Sequence, residues 1–211
     1  MFEEDSMTIS INKSRIGQIV SRKVVTIAPE TSLQEALSLM ASSRISCLIV
    51  TEKKRPIGIF TERDLVRAIA RQTELGSRPI RDLMTSPVVT IHSKLNLFEA
   101  YSIMLSNRIR HHVVVDSEGR IMGVMSQSDL IKVLGLEYFV EMRLIEQIMT
   151  RSVTTIPLET NLSEALTKMA VAGISCVVVV DGQSPVGILT ERDAVRLVAG
   201  GGDTDSRPIG P

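Results

Sequence analysis

The chain reads as an α/β (α+β) protein built from tandem repeats, each running β-α-β-β-α. Three observations predict this. The string Gly-x-x-[Thr/Ser]-x-x-Asp returns three times, at Gly58–Asp64, Gly123–Asp129 and Gly187–Asp193. The first and third copies keep an offset of 129 positions (Asp64 to Asp193), without a gap from Ile16/Ile145 through Pro79/Pro208. Around each string the same order of short β-branched runs and capped, apolar-faced helices recurs. A fixed internal period settles the architecture before any local reading does.

In the first repeat, Val24 to Ile27 is a β-branched strand. Ser32-Leu33-Gln34-Glu35 is a capping box, and Leu33, Ala36, Leu37 and Met40 then share one helical face. Cys47 to Thr51 predicts a strand, Glu52 to Arg55 a polar hairpin turn, Pro56 to Phe60 the next strand, and Thr61 to Ala70 a second helix. The second repeat gives Val88 to Ile91, Asn96-x-x-Glu99 and Val113 to Val115, with a hairpin one residue longer at Asp116 to Arg120. The third gives Val153 to Ile156, Asn161-x-x-Glu164 and Cys176 to Val180. Asp181-Gly182 opens its turn, a strong hairpin signal.

The expected organisation is repeat 1 over 15–71, repeat 2 over 80–135, a linker helix over 136–144 and repeat 3 over 145–200. Leu136, Phe139, Val140 and Met142 give the linker its apolar face. Ser206-Arg207-Pro208-Ile209 repeats Ser77-Arg78-Pro79-Ile80 at the same offset, so 207–211 is expected to open a fourth repeat, cut at a repeat boundary.

A net charge of +0 and a pI of about 6.8 give no field that favours nucleic acid or an anionic membrane. Aromatic residues are 3% of the chain, too few for base-stacking platforms. No apolar run could span a bilayer, and the acidic start Met1 to Asp5 lacks a signal-peptide pattern, so a cytoplasmic protein is expected. The two cysteines, Cys47 and Cys176, are equivalent by the offset and read as small buried hydrophobes at strand starts. They suit neither a disulfide framework nor a metal site. No catalytic constellation is present: there is no metal-ligand spacing, no Ser/His/Asp order and no glycine-rich phosphate loop.

These features resemble the cystathionine-β-synthase (CBS) domain family. The resemblance covers about residues 15 to 200. It is carried by Asp82-Leu83-Met84-Thr85 and Gln147-Ile148-Met149-Thr150 before the first strands, and by Arg44-Ile45-Ser46, Arg108 to His112 and Gly173-Ile174-Ser175 before the middle strands. The three Gly-x-x-[Thr/Ser]-x-x-Asp strings complete it. The family folds as paired repeats, a Bateman module, and many members bind adenosine nucleotides in the clefts between two repeats. The resemblance therefore implies a regulatory module that senses AMP, ADP or ATP, needs no further cofactor and controls an effector domain in signal transduction. The linker looks like that of bacterial signalling proteins with cyclic-di-nucleotide output domains. A structural dimerisation platform with no ligand is the alternative.

Thr61 and Asp64 open a helix, where free N–H groups and the dipole favour an anion. Thr-x-x-Asp reads either as a plain capping box or as a ribose contact. The first helices carry Glu at the fourth position (Glu35, Glu99, Glu164) and the second helices Asp (Asp64, Asp129, Asp193). Capping boxes favour the longer side chain, so the uniform Asp argues for ribose. Arg110, His111 and His112 replace Ser46, Cys47 and Leu48, and only repeat 2 carries such a charged phosphate clamp. Carried over from the family, one site joins Thr26, Ile45 and Ser46 to Arg110, Ser126 and Asp129. The other joins Thr90, Ile109 and Arg110 to Thr61 and Asp64. Thr190 and Asp193 find no complete partner in the chain. His92 reads as a surface residue. Finally, the strands Cys176 to Val180 and Pro185 to Leu189 are too apolar to face water. Pairing with the same repeat of a second chain would cover them, which predicts a homodimer.

Overall fold

In the computed structural model, residues 15–71, 77–132 and 145–201 are described. The predicted linker over 136–144 and the start of a fourth repeat over 207–211 lie outside them. Repeat 1 runs through a short helix (Ile16–Ile19), β1 (Thr26–Ile27), a helix (Leu33–Ser43), β2 (Cys47–Glu52), β3 (Arg55–Thr61) and a second helix (Glu62–Ala70). Repeat 2 follows with a 3-10 turn (Ile80–Asp82), β4 (Thr90–His92), a helix (Leu97–Asn107), β5 (His111–Val115), β6 (Ile121–Ser126) and helical residues 127–132. Repeat 3 has a short helix (Ile145–Ile148), β7 (Thr155–Pro157), a helix (Leu162–Ala172), β8 (Cys176–Asp181), β9 (Ser184–Thr190) and a closing helix (Glu191–Ala199).

Each repeat makes one three-stranded sheet, ordered β1-β2-β3, β4-β5-β6 and β7-β8-β9. The first strand lies parallel to the second, and β5-β6 and β8-β9 are antiparallel hairpins. The first strands start two residues later than their apolar runs suggest, because the ladder begins only at Thr26↔Ile49, Thr90↔Val113 and Thr155↔Val178. Helix starts are capped as the sequence predicts: Ser32, Asn96 and Asn161 each accept the N–H three residues on. The longer hairpin of repeat 2 is an Asx turn, in which Asp116 Oδ1 accepts the N–H groups of Glu118 and Arg120, both at 2.9 Å.

The chain forms two compact units that do not follow the repeat boundaries. One comprises 1–25, 51–57 and 87–149; the other comprises 26–50, 58–86 and 150–211. In the first, the segment leading into repeat 1 lies against repeat 2. Ile16 and Gly17 donate to the carbonyls of Leu95 and Ser93, both at 3.0 Å, and Ser21 bridges Val124. The core of this unit gathers Ile16, Val20, Ile91, Leu97, Met104, Val114, Met125 and Leu130. In the second unit, the segment leading into repeat 2 lies against repeat 1. Leu33 donates to Arg78, Ile80 to Thr31, and Ile59 and Thr85 exchange bonds at 3.0 and 2.9 Å. The otherwise open outer edges of β3 and β6 are thereby partly covered.

The second unit also packs repeat 3 on repeat 1 through helices: Glu62–Ala70 meets Leu162–Ala172 and Glu191–Ala199, and Leu33–Ser43 meets Glu191–Ala199. Two reciprocal ion pairs tie this contact, Arg63 Nε to Glu191 Oε1 at 2.9 Å and Arg192 Nε to Glu62 Oε1 at 3.0 Å. Both glutamates are buried, so their charge requires these partners. Glu62 and Arg63 correspond to Glu191 and Arg192 by the offset of 129, so the two repeats meet about a local two-fold. The sheet of repeat 3 is different. Val186 and Ile188 are 54% and 61% exposed, and Cys176 is exposed. The expectation that both cysteines are buried is therefore corrected: Cys47 is half-buried, and Cys176 stands on an open sheet face.

Candidate functional site

The three Gly-x-x-[Thr/Ser]-x-x-Asp strings fold identically at their polar ends. The sheet's last strand ends at Thr61, Ser126 or Thr190, and the next helix begins at once. Thr61 donates its N–H and its hydroxyl to Asp64 Oδ2, at 2.9 and 2.7 Å. Ser126 does the same to Asp129 at 2.9 and 2.7 Å, and Thr190 to Asp193 at 3.0 and 2.6 Å. Asp129 and Asp193 return their N–H groups to the hydroxyls. All three strings are thus full capping boxes. The capping-box reading of the motif is met, since in each one carboxylate oxygen reaches the N-cap N–H and hydroxyl together, and the second oxygen remains for other contacts.

What differs is the second oxygen. Asp64 Oδ1 receives the hydroxyl of Thr85 at 3.0 Å and lies 3.8 Å from Arg67 Nη1. Asp64 is 6% exposed. Burial pushes its carboxyl above the ordinary range, against the opposing pull of the Thr61 and Thr85 hydrogen bonds and the Arg67 charge. Asp129 and Asp193 keep side chains 36% and 38% exposed, with Lys132 Nζ at 4.0 Å and Arg196 Nη1 at 3.8 Å. Their second oxygens face no equivalent of Thr85 among the described residues.

Around Asp129, within one unit, stand most of the other predicted residues of repeat 2. Arg108 ends its helix in the left-handed region (φ 53°), and Ile109 then donates to Met104 O at 3.0 Å. The Arg110 carbonyl accepts Gln127 N–H at 2.9 Å, and His111 pairs in register with Ser126. Arg110, His111, Ser126 and Asp129 therefore share one end of the β5-β6 hairpin, with Arg110 and His111 half-buried. Thr90 is exposed at the start of β4. His112 is no part of a phosphate clamp: it is fully buried, its Nε2 bonded to Ala100 O at 3.0 Å, and burial lowers its pKa.

In the other unit, Thr26 is exposed at the start of β1, and Ile45 follows a left-handed Arg44 (φ 54°). The Ser46 and Ser175 carbonyls accept Glu62 and Glu191 N–H groups at 3.2 and 3.1 Å, which fixes these turns against Thr61 and Thr190. The predicted sets that join Thr26, Ile45 and Ser46 to Asp129, and Thr90 and Arg110 to Asp64, draw on both units. His92 is half-exposed and accepts Lys94 N–H at 3.1 Å. Sequence reasoning missed Thr85, although the recurrence of Met84-Thr85 as Met149-Thr150 marked it. Among the described residues, no group of His, Cys, Asp and Glu could hold a metal ion.

Comparison with known proteins places this geometry. A "CBS domain" family model matches residues 16–71, 80–136 and 145–200. An uncharacterized Methanopyrus kandleri protein is 35% identical over 120 residues, 56% of this chain and 61% of that protein. The inosine-5'-monophosphate dehydrogenase of Methanocaldococcus jannaschii is 32% identical over 119 residues, 56% of this chain but 23% of the enzyme. The chain thus spans less than two thirds of the length of either. Among solved structures, protein MJ1225 of M. jannaschii superposes with a TM-score of 0.77 over 88% of this chain and 72% of that one, and at 24% identity this likeness shows the fold. CBS domain protein PAE2072 of Pyrobaculum aerophilum, solved in complex with AMP, superposes with a TM-score of 0.54 at 27% identity, over 60% of this chain and 98% of that one. With three matched repeats and the β-α-β-β order in each, the chain belongs to the CBS domain family.

Proposed function

We propose that the chain is a regulatory, non-catalytic module that binds an adenosine nucleotide (AMP, ADP or ATP) and controls an effector domain in signal transduction. One observation carries the reading. Asp129 holds its capping box with one oxygen and keeps a partly exposed side chain at the hairpin end shared by Arg110 and His111. A carboxylate so placed can accept ribose hydroxyls while guanidinium and imidazole groups take phosphate. The AMP complex of a relative 27% identical to this chain supports the same class of ligand. Thr90 and Ile109 are further expected ligand contacts. Thr61 with Asp64, and Thr190 with Asp193, are weaker counterparts, alongside Thr26, Ile45 and Ser46.

The repeats act in this reading as units over 15–71, 80–135 and 145–200, joined by 136–144, in a cytoplasmic protein that binds neither nucleic acid nor membrane. Among the described residues, no helix is long and apolar enough to cross a membrane. The exposed apolar face of β8-β9 supports a homodimer formed through repeat 3.

Calorimetric titration with AMP, ADP, ATP, adenosine and S-adenosylmethionine tests the ligand. Asp129→Ala is expected to weaken adenosine-nucleotide binding by about 1.5–3 kcal/mol, the worth of a hydrogen bond to a charged group. Asp64→Ala should weaken it less, since Thr61, Thr85 and Arg67 already engage that carboxylate. Equal affinity of wild type and Asp129→Ala overturns the ribose assignment.

A further inference from the structure

Beside Asp64, and on the far side of it from Thr61, the second unit contains a polar cleft of about 310 Å³. Its walls carry three arginines. Arg67 and Arg71 are four residues apart and so share a face of the Glu62–Ala70 helix and its C-cap, while Arg78 enters from the segment leading into repeat 2. Among the described residues, Asp64, Asp82 and Thr85 supply the remaining polar groups. We propose that this cleft is a binding site for a compact polyanion of the pyrophosphate class, separate from the ribose-binding set around Asp129.

The argument rests first on charge and shape. Among the described residues the lining carries three guanidinium groups against two carboxylates, one of which, Asp64, lies 3.8 Å from Arg67. A cleft of this volume falls at the small end of the range that holds ligands, which suits a di- or triphosphate. Arginine forks match the paired oxygens of phosphate bidentately. Thr85 adds a hydroxyl at the rim that already donates to Asp64.

The repeats themselves argue that the cluster is not a requirement of the fold. The Asp64–Arg67 contact recurs as Asp193–Arg196 and Asp129–Lys132, each three residues apart, so a base at the Arg67 position has a structural role everywhere. The Arg71 position does not repeat: its counterpart at the offset of 129 is Gly200, which closes the equivalent helix with the same N–H bond to the carbonyl four residues back. The helix end therefore forms without a guanidinium there. Arg71 is an addition specific to repeat 1, and it stands where Arg67 and Arg78 can share an anion.

The test titrates pyrophosphate, and inorganic phosphate in parallel, into the full chain at constant ionic strength. Binding is read by calorimetry and by ³¹P line width. Saturable pyrophosphate binding is expected, weakened about tenfold by Arg71→Gln and again by Arg78→Gln, and unchanged by Arg196→Gln on repeat 3. A purely structural role for Arg71 predicts a lower melting temperature with unchanged pyrophosphate affinity, and that result overturns the proposal, as does the absence of saturable binding at 10-fold millimolar excess. Should Arg78→Gln fail to fold, Arg71→Gln and Arg71→Lys alone decide: lysine should restore part of the affinity and glutamine none. Adenosine, which has no phosphate, is titrated alongside. Loss of pyrophosphate binding with adenosine binding intact defeats only this proposal, and the reverse outcome defeats only the nucleoside reading.

Discussion

Repeats 1 and 3 carry the same motifs at a constant offset, yet their sheets end in opposite environments. Ile59 is 8% exposed and its counterpart Ile188 is 61% exposed. Ile49 is fully buried, whereas Val178 is half-exposed. The reason visible within this unit is the leading segment of repeat 2. Thr85 bridges Ile59, and Met84 packs directly on Gly58, while Gly187 meets only Val179 Cβ at 3.9 Å. Thr85 also closes Asp64, and among the described residues nothing comparable reaches Asp193. A single repeat of this kind is therefore incomplete. Its hairpin needs a leading segment from elsewhere in the sequence to cover its edge, and that same segment decides whether the helix-start carboxylate stays available.

Charge placed on the two sheet faces breaks this comparison most sharply. Ile59→Glu should destabilise the chain by about 3 kcal/mol or more, since it removes a buried side chain and buries an unpaired carboxylate. Ile188→Glu should leave the unfolding midpoint of a monomer within about 0.5 kcal/mol, as exposed substitutions do. If repeat 3 pairs with a second copy, Ile188→Glu and Val178→Glu will instead dissociate the dimer. Light scattering alongside urea unfolding separates the outcomes: a dimer falling to the 23.2 kDa monomer mass supports assembly through this face. Equal destabilisation by Ile59→Glu and Ile188→Glu in a monomeric chain would mean that the two faces are alike after all.

The glycines sharpen the contrast at one atom. A Cβ on Gly58 would overlap the Met84 side chain, and on Gly123 it would come within 2.6 Å of Val20 Cγ2 and 2.5 Å of the Ser21 carbonyl oxygen. Gly58→Ala should therefore cost about 1–3 kcal/mol, the usual penalty of overpacking, reduced to the extent that Met84 shifts. A Cβ on Gly187 would meet only Val179 Cβ at 3.9 Å, an ordinary contact, so Gly187→Ala should be neutral or slightly stabilising. Thermal unfolding of the two variants reads the difference, and comparable losses in both would contradict the account of Gly58.

Much of this was legible in the sequence, and the part that was not has a physical cause. Element order, the capped helices and the three Asp-bearing turns follow from local periodicity and side-chain chemistry, which act over a few residues. Which copy a leading segment packs against does not. The segments 15–25 and 77–86 are equivalent in pattern, and the pattern is the same whether each covers its own repeat or the other. The exchange that sets Ser21 on Val124 and Thr85 on Ile59 becomes visible only in three dimensions. The exposure of Cys176 eluded composition for the same reason, since its environment depends on what covers β8. Side-chain length alone could not decide between capping and ribose contact at Asp64, Asp129 and Asp193, because the N-cap hydroxyl and N–H converge on one oxygen and leave the other for further partners.

Asp64 gives the comparison a pH signature. Its carboxyl is raised above 3.8 by burial, so the folded chain holds the proton to higher pH than the unfolded chain does. The corresponding stability is fully present below the unfolded value and is lost as pH rises through the folded one. The stability of wild type minus that of Asp64→Asn should accordingly fall with rising pH above about 4, with a slope no steeper than about 1.4 kcal/mol per pH unit for one proton. Urea unfolding at several pH values reads this directly. A difference that grows with pH would show that the Thr61 and Thr85 hydrogen bonds outweigh burial.

The smallest expected effect lies at the hairpin turns of the same two repeats. Both loops have two residues, Lys53-Lys54 between β2 and β3 and Gly182-Gln183 between β8 and β9. Lys53 and Lys54 adopt φ of 49° and 64°, and Gly182, the counterpart of Lys53, adopts 58°. Positive φ at both central residues marks the Lys53-Lys54 loop as a type I′ turn, whereas Gln183 does not share it, so the two loops have in common a positive φ at the first central residue only. Glycine takes this conformation without the Cβ clash that lysine suffers, although its freer unfolded chain returns part of the gain. Lys53→Gly should therefore stabilise the chain by about 0.5–1 kcal/mol, and Gly182→Lys should destabilise it by a similar amount. Both positions are exposed, so lost packing does not enter either value. Opposite signs in matched chemical unfolding would show that the positive φ at the first central residue is shared and that only the residue there differs. The same sign in both would mean that the first central residues of the two hairpins do not share this conformation in solution.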